Sequence, residues 1–178
     1  MSFLQYELWK DCNNHCSYCF NKNIKPIRNK VESLTYVINS LLEKKLPEGS
    51  SIGFIGGEFF DKQISTEKIK KLFYHAVDIA LTKIKKINGR FLITASLMSS
   101  DDSEWFEFCE FIHKYKIDEH ILICTSWDEK YRFNEMTKMN WEKTINKTQQ
   151  KYPNIKFVYN DKYNEMNNIS SAYMVKDK

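Results

Sequence analysis

Glycine and proline are scarce in this sequence, five and three among 178 residues. That scarcity excludes a flexible interdomain linker and a low-complexity tract, both of which are built from such residues. Long apolar runs are missing as well, and none approaches the ~18 residues that a bilayer crossing needs. The opening Met1-Ser2-Phe3-Leu4-Gln5-Tyr6-Glu7 has neither the basic start nor the apolar centre of a secretion signal. No internal repeat of fixed period is present. Five cysteines are an odd number, and three are crowded together, which suits a metal site in a reducing compartment better than a disulfide framework. These absences lead us to expect a cytoplasmic protein.

What is present describes a globular chain. Hydrophobic residues reach 42% and aromatics 15%, enough to bury a real core in one domain of this length. The net charge of +4 is modest. Lysines recur in Lys68-Ile69-Lys70-Lys71, in Lys83-Ile84-Lys85-Lys86 and between Lys22 and Lys30, and they read as solvated faces rather than a binding surface. Charge alone does not establish a polyanionic partner, and neither nucleic acid nor membrane is expected.

Strand and helix patterns alternate. Phe3 to Trp9 reads as a strand, followed by a cysteine-bearing loop. A helix is expected from Lys30 to Lys45, with Asn29 and Glu32 as a capping box, Leu34, Ile38, Leu41 and Leu42 as its apolar stripe, and Pro47 and Gly49 closing it. Ser51 to Ile55 is a short buried strand ending at Gly56-Gly57-Glu58. A long amphipathic helix runs from Ser65 to Lys86, stopped by Gly89, and a third strand from Arg90 to Leu97. Asp101 and Glu104 open a helix carrying Trp105, Phe108, Cys109 and Ile112 on one face. His120 to Trp127 is a fourth strand. A helix reaching Gln150 follows, with Met136, Trp141 and Ile145 as core contacts. Asn154 to Tyr159 gives a fifth strand, and Ala172 to Val175 a short sixth. Such alternation predicts an α/β fold with a predominantly parallel sheet whose strand ends share one rim, where α/β folds build their sites. The cysteine loop, Gly-Gly-Glu, Ser96 and Ser126 all fall on that rim.

Cys12, Cys16 and Cys19 stand in C-x3-C-x2-C spacing. Three thiolates so placed fit a [4Fe-4S] cluster with one iron left open. Two other readings stay open: a Cys3His zinc site using His15, and unligated redox thiols. Cys109 and Cys124 read as buried core thiols, and His75, His113 and His120 have no ligand spacing.

With Tyr18 before the last cysteine, the triplet resembles the C-x3-C-x-aromatic-C signature of radical S-adenosylmethionine (SAM) enzymes, and Gly56-Gly57-Glu58 resembles that superfamily's Gly-Gly-Glu motif. The resemblance covers most of the chain and implies a partial (βα)6 TIM-like barrel. This chain departs from it in that its sixth strand is at best a stub, so that the barrel is either unusually open, completed by another chain, or continued in a longer protein. It implies one radical SAM core domain over residues 1–178, with the last fifteen or so left open. Cys12, Cys16 and Cys19 would ligate three irons of the cluster, and SAM the fourth. Tyr18 would lie on the adenine side, Gly56 and Gly57 would allow close backbone approach to the ligand, and Glu58 would meet the ammonium group. Thr94 and Ser96 on the third strand are further candidates for the SAM site. Thr125-Ser126-Trp127-Asp128 resembles the Ser-x-Asp segment of peptide- and protein-modifying members, which gives Ser126 to SAM and its carboxylate to either Arg132 or Lys138. The implied chemistry is reductive cleavage of SAM to methionine and a 5′-deoxyadenosyl radical that takes hydrogen from a substrate the sequence does not identify, a peptide or protein being favoured, with an electron from a reductant such as a flavodoxin or ferredoxin.

The chain departs from many relatives in carrying no cysteine after Cys124, so auxiliary clusters are not expected. Its shortness admits a partner chain that completes the barrel. A glycyl-radical activase and a catalytically idle SAM- and cluster-binding subunit are the alternatives, and a zinc-stabilised nucleic-acid-binding protein is the third class.

Overall fold

A computed structural model describes residues 2–12, 28–62, 66–126 and 134–160. In chain order the elements are β1 (Phe3–Glu7), α1 (Lys30–Glu43), β2 (Ser51–Ile55), α2 (Glu67–Ile87), β3 (Arg90–Thr94), α3 (Ser103–His113), β4 (Ile121–Ser126), α4 (Glu135–Lys151) and β5 (Lys156–Asn160). The five strands form one sheet in the order β1-β2-β3-β4-β5, every pair parallel. Strands that advance in one direction through right-handed crossovers place their helices on one face, as in a barrel wall. The expected α/β, TIM-like arrangement is borne out over these five strands. The expected sixth strand at Ala172 to Val175 lies outside the described residues.

Alternation along each strand sorts the side chains between the two faces. Leu4 and Tyr6, Ile52 and Phe54, Phe91 and Ile93, and Ile121 and Ile123 pack with the helices in the main core. On the opposite face Leu92, Leu122 and Cys124 form a second, smaller apolar cluster against Val158. Helix starts follow from local chemistry. Asn29 Oδ1 accepts from Glu32 N at 3.0 Å while Glu32 Oε2 accepts from Asn29 N at 3.0 Å, the reciprocal box that the sequence shows. Asn134 caps α4 in the same way, with Thr137 in place of the acid.

Several boundaries and contacts differ from expectation. The stripe of α1 is Leu34, Val37, Ile38 and Leu41, while Leu42 is 61% exposed, because only the first set holds one helical face. Helix α1 ends at Glu43, with Lys44 as its extended C-cap, before Pro47 and Gly49. Met136 is 68% exposed and not a core contact, since α4 turns Trp141, Thr144, Ile145 and Thr148 inward. The left-handed residue that ends α2 is Asn88, one position before Gly89. Strand β3 stops at Thr94, and Leu97, expected inside it, takes a positive φ of 57° in the loop that follows. Ser96 therefore lies just beyond the strand.

Candidate cluster and SAM site

The site is built where β1 and β2 end. Regular pairing stops with Leu8 N donating to Ile55 O at 2.9 Å. The next bonds run from Gly57 N to Trp9 O at 2.8 Å and from Glu58 N to Asp11 O at 3.0 Å. The Gly-Gly-Glu turn thus lies against the backbone that leads straight into Cys12. Gly56 holds a φ of +150°, and a Cβ on it would stand 2.2 Å from Trp9 O. A Cβ on Gly57 would stand 1.9 Å from Asp11 O. The two glycines were assigned to ligand approach from the sequence, yet the backbone that comes closest to them is the chain's own.

Aromatic burial fixes this turn from beneath. Phe59 and Phe60 follow Glu58 and are both buried. Phe60 meets Trp105 at 5.0 Å and Phe108 at 4.9 Å between ring centroids, and Phe59 meets Trp9 at 5.0 Å edge to face. Each such pair contributes ~0.5–1.5 kcal/mol beyond the area it buries. Trp9 Nε1 also donates to Glu58 O at 3.0 Å, so the turn and the cysteine approach are tied by a side chain as well as by backbone.

The structure brings Glu58 and Ser96 together. Glu58 is 7% exposed, and its Oε1 accepts from Phe59 N at 2.9 Å and Phe60 N at 3.1 Å. Its Oε2 accepts from Ser96 N at 3.2 Å and from the Ser96 hydroxyl. A buried carboxylate is stable only when so surrounded by donors. In this arrangement Glu58 joins the end of β2 to the end of β3. Two strands' rims are locked together by one side chain. Nearby on β3, Thr94 has a buried hydroxyl oxygen with no hydrogen-bond partner among the described residues. A buried polar atom left in that state costs ~1–3 kcal/mol, which a bound ligand can recover.

Cys12 is exposed, at the end of the pinned segment. Lys30 Nζ lies 2.9 Å from Asp11 Oδ2 and 5.6 Å from the Trp9 ring. Asp11 immediately precedes the cysteine triplet, and Lys30 opens the helix after it, so this ion pair closes the neck of the cysteine-bearing stretch. Cys16, Cys19, Tyr18, His15 and Arg132 lie outside the described residues. Ser126 closes β4 opposite Asn160. Its neighbour Thr125 is buried and accepts from Trp141 Nε1 at 3.0 Å, which fixes the end of β4 against α4. Lys138 sits half-buried in the first turns of α4, after β4.

The donor chemistry fits an iron–sulfur group. Burial pushes the Cys109 thiol far above its ordinary range and the Cys124 thiol up to about 12, so neither supplies a thiolate near neutral pH. Both are the buried core thiols expected of them. The thiols left for a metal are those of the triplet, and Cys12 is presented at the rim. Sequence reasoning gave no part in the site to Trp9, Asp11, Lys30 or Trp141, although Trp141 is the core contact expected of it. Their partners are distant in sequence, and only the adjacency of Asp11 and Lys30 to the loop's two ends hinted at them.

Comparison with known proteins agrees with this reading. No curated protein matches the chain. Among solved structures, one described as native anSMEcpe with bound AdoMet and Cp18Cys peptide shares the fold with a TM-score of 0.52 and 21% identity. That match covers 89% of this chain and 42% of the other, so the chain spans less than half of the protein it resembles. The family model of the 4Fe-4S single cluster domain matches residues 6–112, from β1 through the cysteine triplet and the Gly-Gly-Glu turn to the end of α3. The resemblance carried by Cys12, Cys16, Cys19 and Gly56-Gly57-Glu58 is thereby borne out for family and fold, and the chain belongs to the 4Fe-4S single cluster domain family.

Proposed function

We propose that this chain is a radical SAM enzyme acting on a peptide or protein. The observation that carries the reading is the pinning of the segment before Cys12 onto the Gly-Gly-Glu turn, at the rim where β1 and β2 end. Cys12, Cys16 and Cys19 would hold the [4Fe-4S] cluster, leaving one iron for SAM. With the cluster and SAM held there, the site would supply one-electron reductive cleavage of SAM and, through it, hydrogen abstraction from a substrate.

The protein's own part is placement. Trp9, Gly56 and Gly57 fix the direction in which the cysteine loop leaves the sheet. Glu58 and Ser96 hold the rims of β2 and β3 at one separation, and in this proposal Glu58 would meet an ammonium group once the Ser96 hydroxyl turns away. Thr94 offers an unused hydroxyl on the neighbouring strand. Tyr18, Ser126 and either Arg132 or Lys138 complete the SAM contacts in this proposal. A peptide or protein substrate is supported by the peptide bound in the solved relative of like fold. A flavodoxin or ferredoxin would be the reductant.

Anaerobic reconstitution, reduction with dithionite and addition of SAM test the reading. Release of 5′-deoxyadenosine, abolished by Cys16→Ala, is the expected result. An intact cluster that binds SAM without cleaving it would assign the chain to the idle subunit instead. Zinc in place of iron would overturn both.

A further inference from the structure

Among the described residues, strand β1 has a neighbour on one side only. In a parallel ladder the residues that bond to a given neighbour alternate along the strand. Ser2 O accepts from Ser51 N and Leu8 N donates to Ile55 O, so the even-numbered residues of β1 serve β2. The N–H and C=O groups of Phe3, Gln5 and Glu7 therefore face away from the sheet. Among the described residues, nothing pairs with them.

A cleft of about 320 Å³ runs along this edge, between β1 and α1, from Leu4 to Lys10. Tyr36, 50% exposed, forms part of its wall with the Arg28 guanidinium 4.3 Å above the ring. Its charged lining is Lys10, Arg28 and Lys44 against the single carboxylate of Glu7. Edge strands are usually blunted by proline, a bulge or a covering element. Over Phe3–Glu7 this one has neither proline nor bulge.

We propose that the β1 edge receives an extended acidic peptide as an added strand. Its backbone pairs with Phe3, Gln5 and Glu7, and its carboxylates meet Lys10, Arg28 and Lys44. Main-chain pairing supplies affinity in this mode of recognition and the flanking side chains supply selectivity. A second copy of the chain suits the edge poorly, because two-fold pairing would bring the same excess of cations together. The surface lies beside the cluster rim, so a strand added here is led toward Cys12. The inference goes beyond the SAM reading and stands without it.

A rhodamine-labelled heptapeptide of alternating glutamate and valine tests it by fluorescence anisotropy with the full chain. Saturable binding that weakens with salt is expected. Gln5→Pro removes the central outward N–H, at a position where an edge strand tolerates proline, and should weaken binding about fivefold. Arg28→Glu with Lys44→Glu should weaken it about tenfold. Should Gln5→Pro not fold by circular dichroism, a backbone N-methylated peptide removes the same bonds from the other side and must lose affinity. Equal binding of the lysine–valine peptide, no saturable binding, or indifference to all these changes would overturn the proposal. Dimerisation of the chain that Gln5→Pro abolishes would also overturn it, by giving the edge to a second copy.

Discussion

Replacing Gly57 by alanine tests how the cysteine segment is held. A Cβ there would lie 1.9 Å from Asp11 O and 2.6 Å from Asp11 C, where real contacts essentially never fall below 3.0 Å. Both neighbours are backbone, so the strand leading to Cys12 must retreat. Retreat breaks the bonds Gly57 N–Trp9 O and Glu58 N–Asp11 O. Two backbone hydrogen bonds are worth ~1–3 kcal/mol together, and the forced displacement costs a further ~1–3 kcal/mol. A total of ~2–6 kcal/mol is a large part of the ~5–15 kcal/mol that stabilises a domain. Urea denaturation of the cluster-free protein measures it without interference from metal binding. Gly53→Ala is the matched control on the same strand pair. Its Cβ would meet the far end of the Phe3 ring at 2.9 Å, a side chain that can swing aside, so the cost should be below ~1 kcal/mol. Iron bound after anaerobic reconstitution should fall for Gly57→Ala and hold for Gly53→Ala. Wild-type stability of Gly57→Ala, or an equal loss for both alanines, would refute the reasoning.

Glu58→Gln turns an amide donor toward one of two sets of donors, the N–H groups of Phe59 and Phe60 or the N–H and hydroxyl of Ser96, and should cost ~2 kcal/mol in urea denaturation. In the proposed role it also weakens SAM binding while the cluster is retained, and unchanged SAM affinity would leave Glu58 a purely structural residue. Iodoacetamide at mildly alkaline pH should label Cys12 in the folded cluster-free chain and spare Cys109 and Cys124. Burial raises both thiol pKa values, so neither forms thiolate until the chain unfolds. Rapid labelling of Cys124 in the folded protein would contradict that assignment.

The sequence made the strand–helix alternation legible because each element carries its own period and its own stop. Asn29 with Glu32 announced α1, and five apolar strand patterns announced the sheet. Leu42 and Met136 misled because each neighbours an apolar stripe without lying on it, and a helix phase error of one residue turns a side chain by about 100°. The cysteine triplet and Gly-Gly-Glu were legible as motifs. What the glycines do was not, because the atoms that forbid a Cβ belong to Trp9 and Asp11, more than forty positions away. The Glu58–Ser96 pair was hidden for the same reason: both residues stood out, but nothing local joined them. Lys30 read as one lysine among many until its partner Asp11 was placed.

An open iron that takes SAM is the central claim, and electron paramagnetic resonance of the reduced, reconstituted protein tests it most directly. Spectra recorded with and without SAM should differ, because ligation of the unique iron changes the cluster's electronic structure, and Cys12→Ala should lose the signal altogether. A [4Fe-4S] signal that is identical in the presence of saturating SAM would contradict the claim.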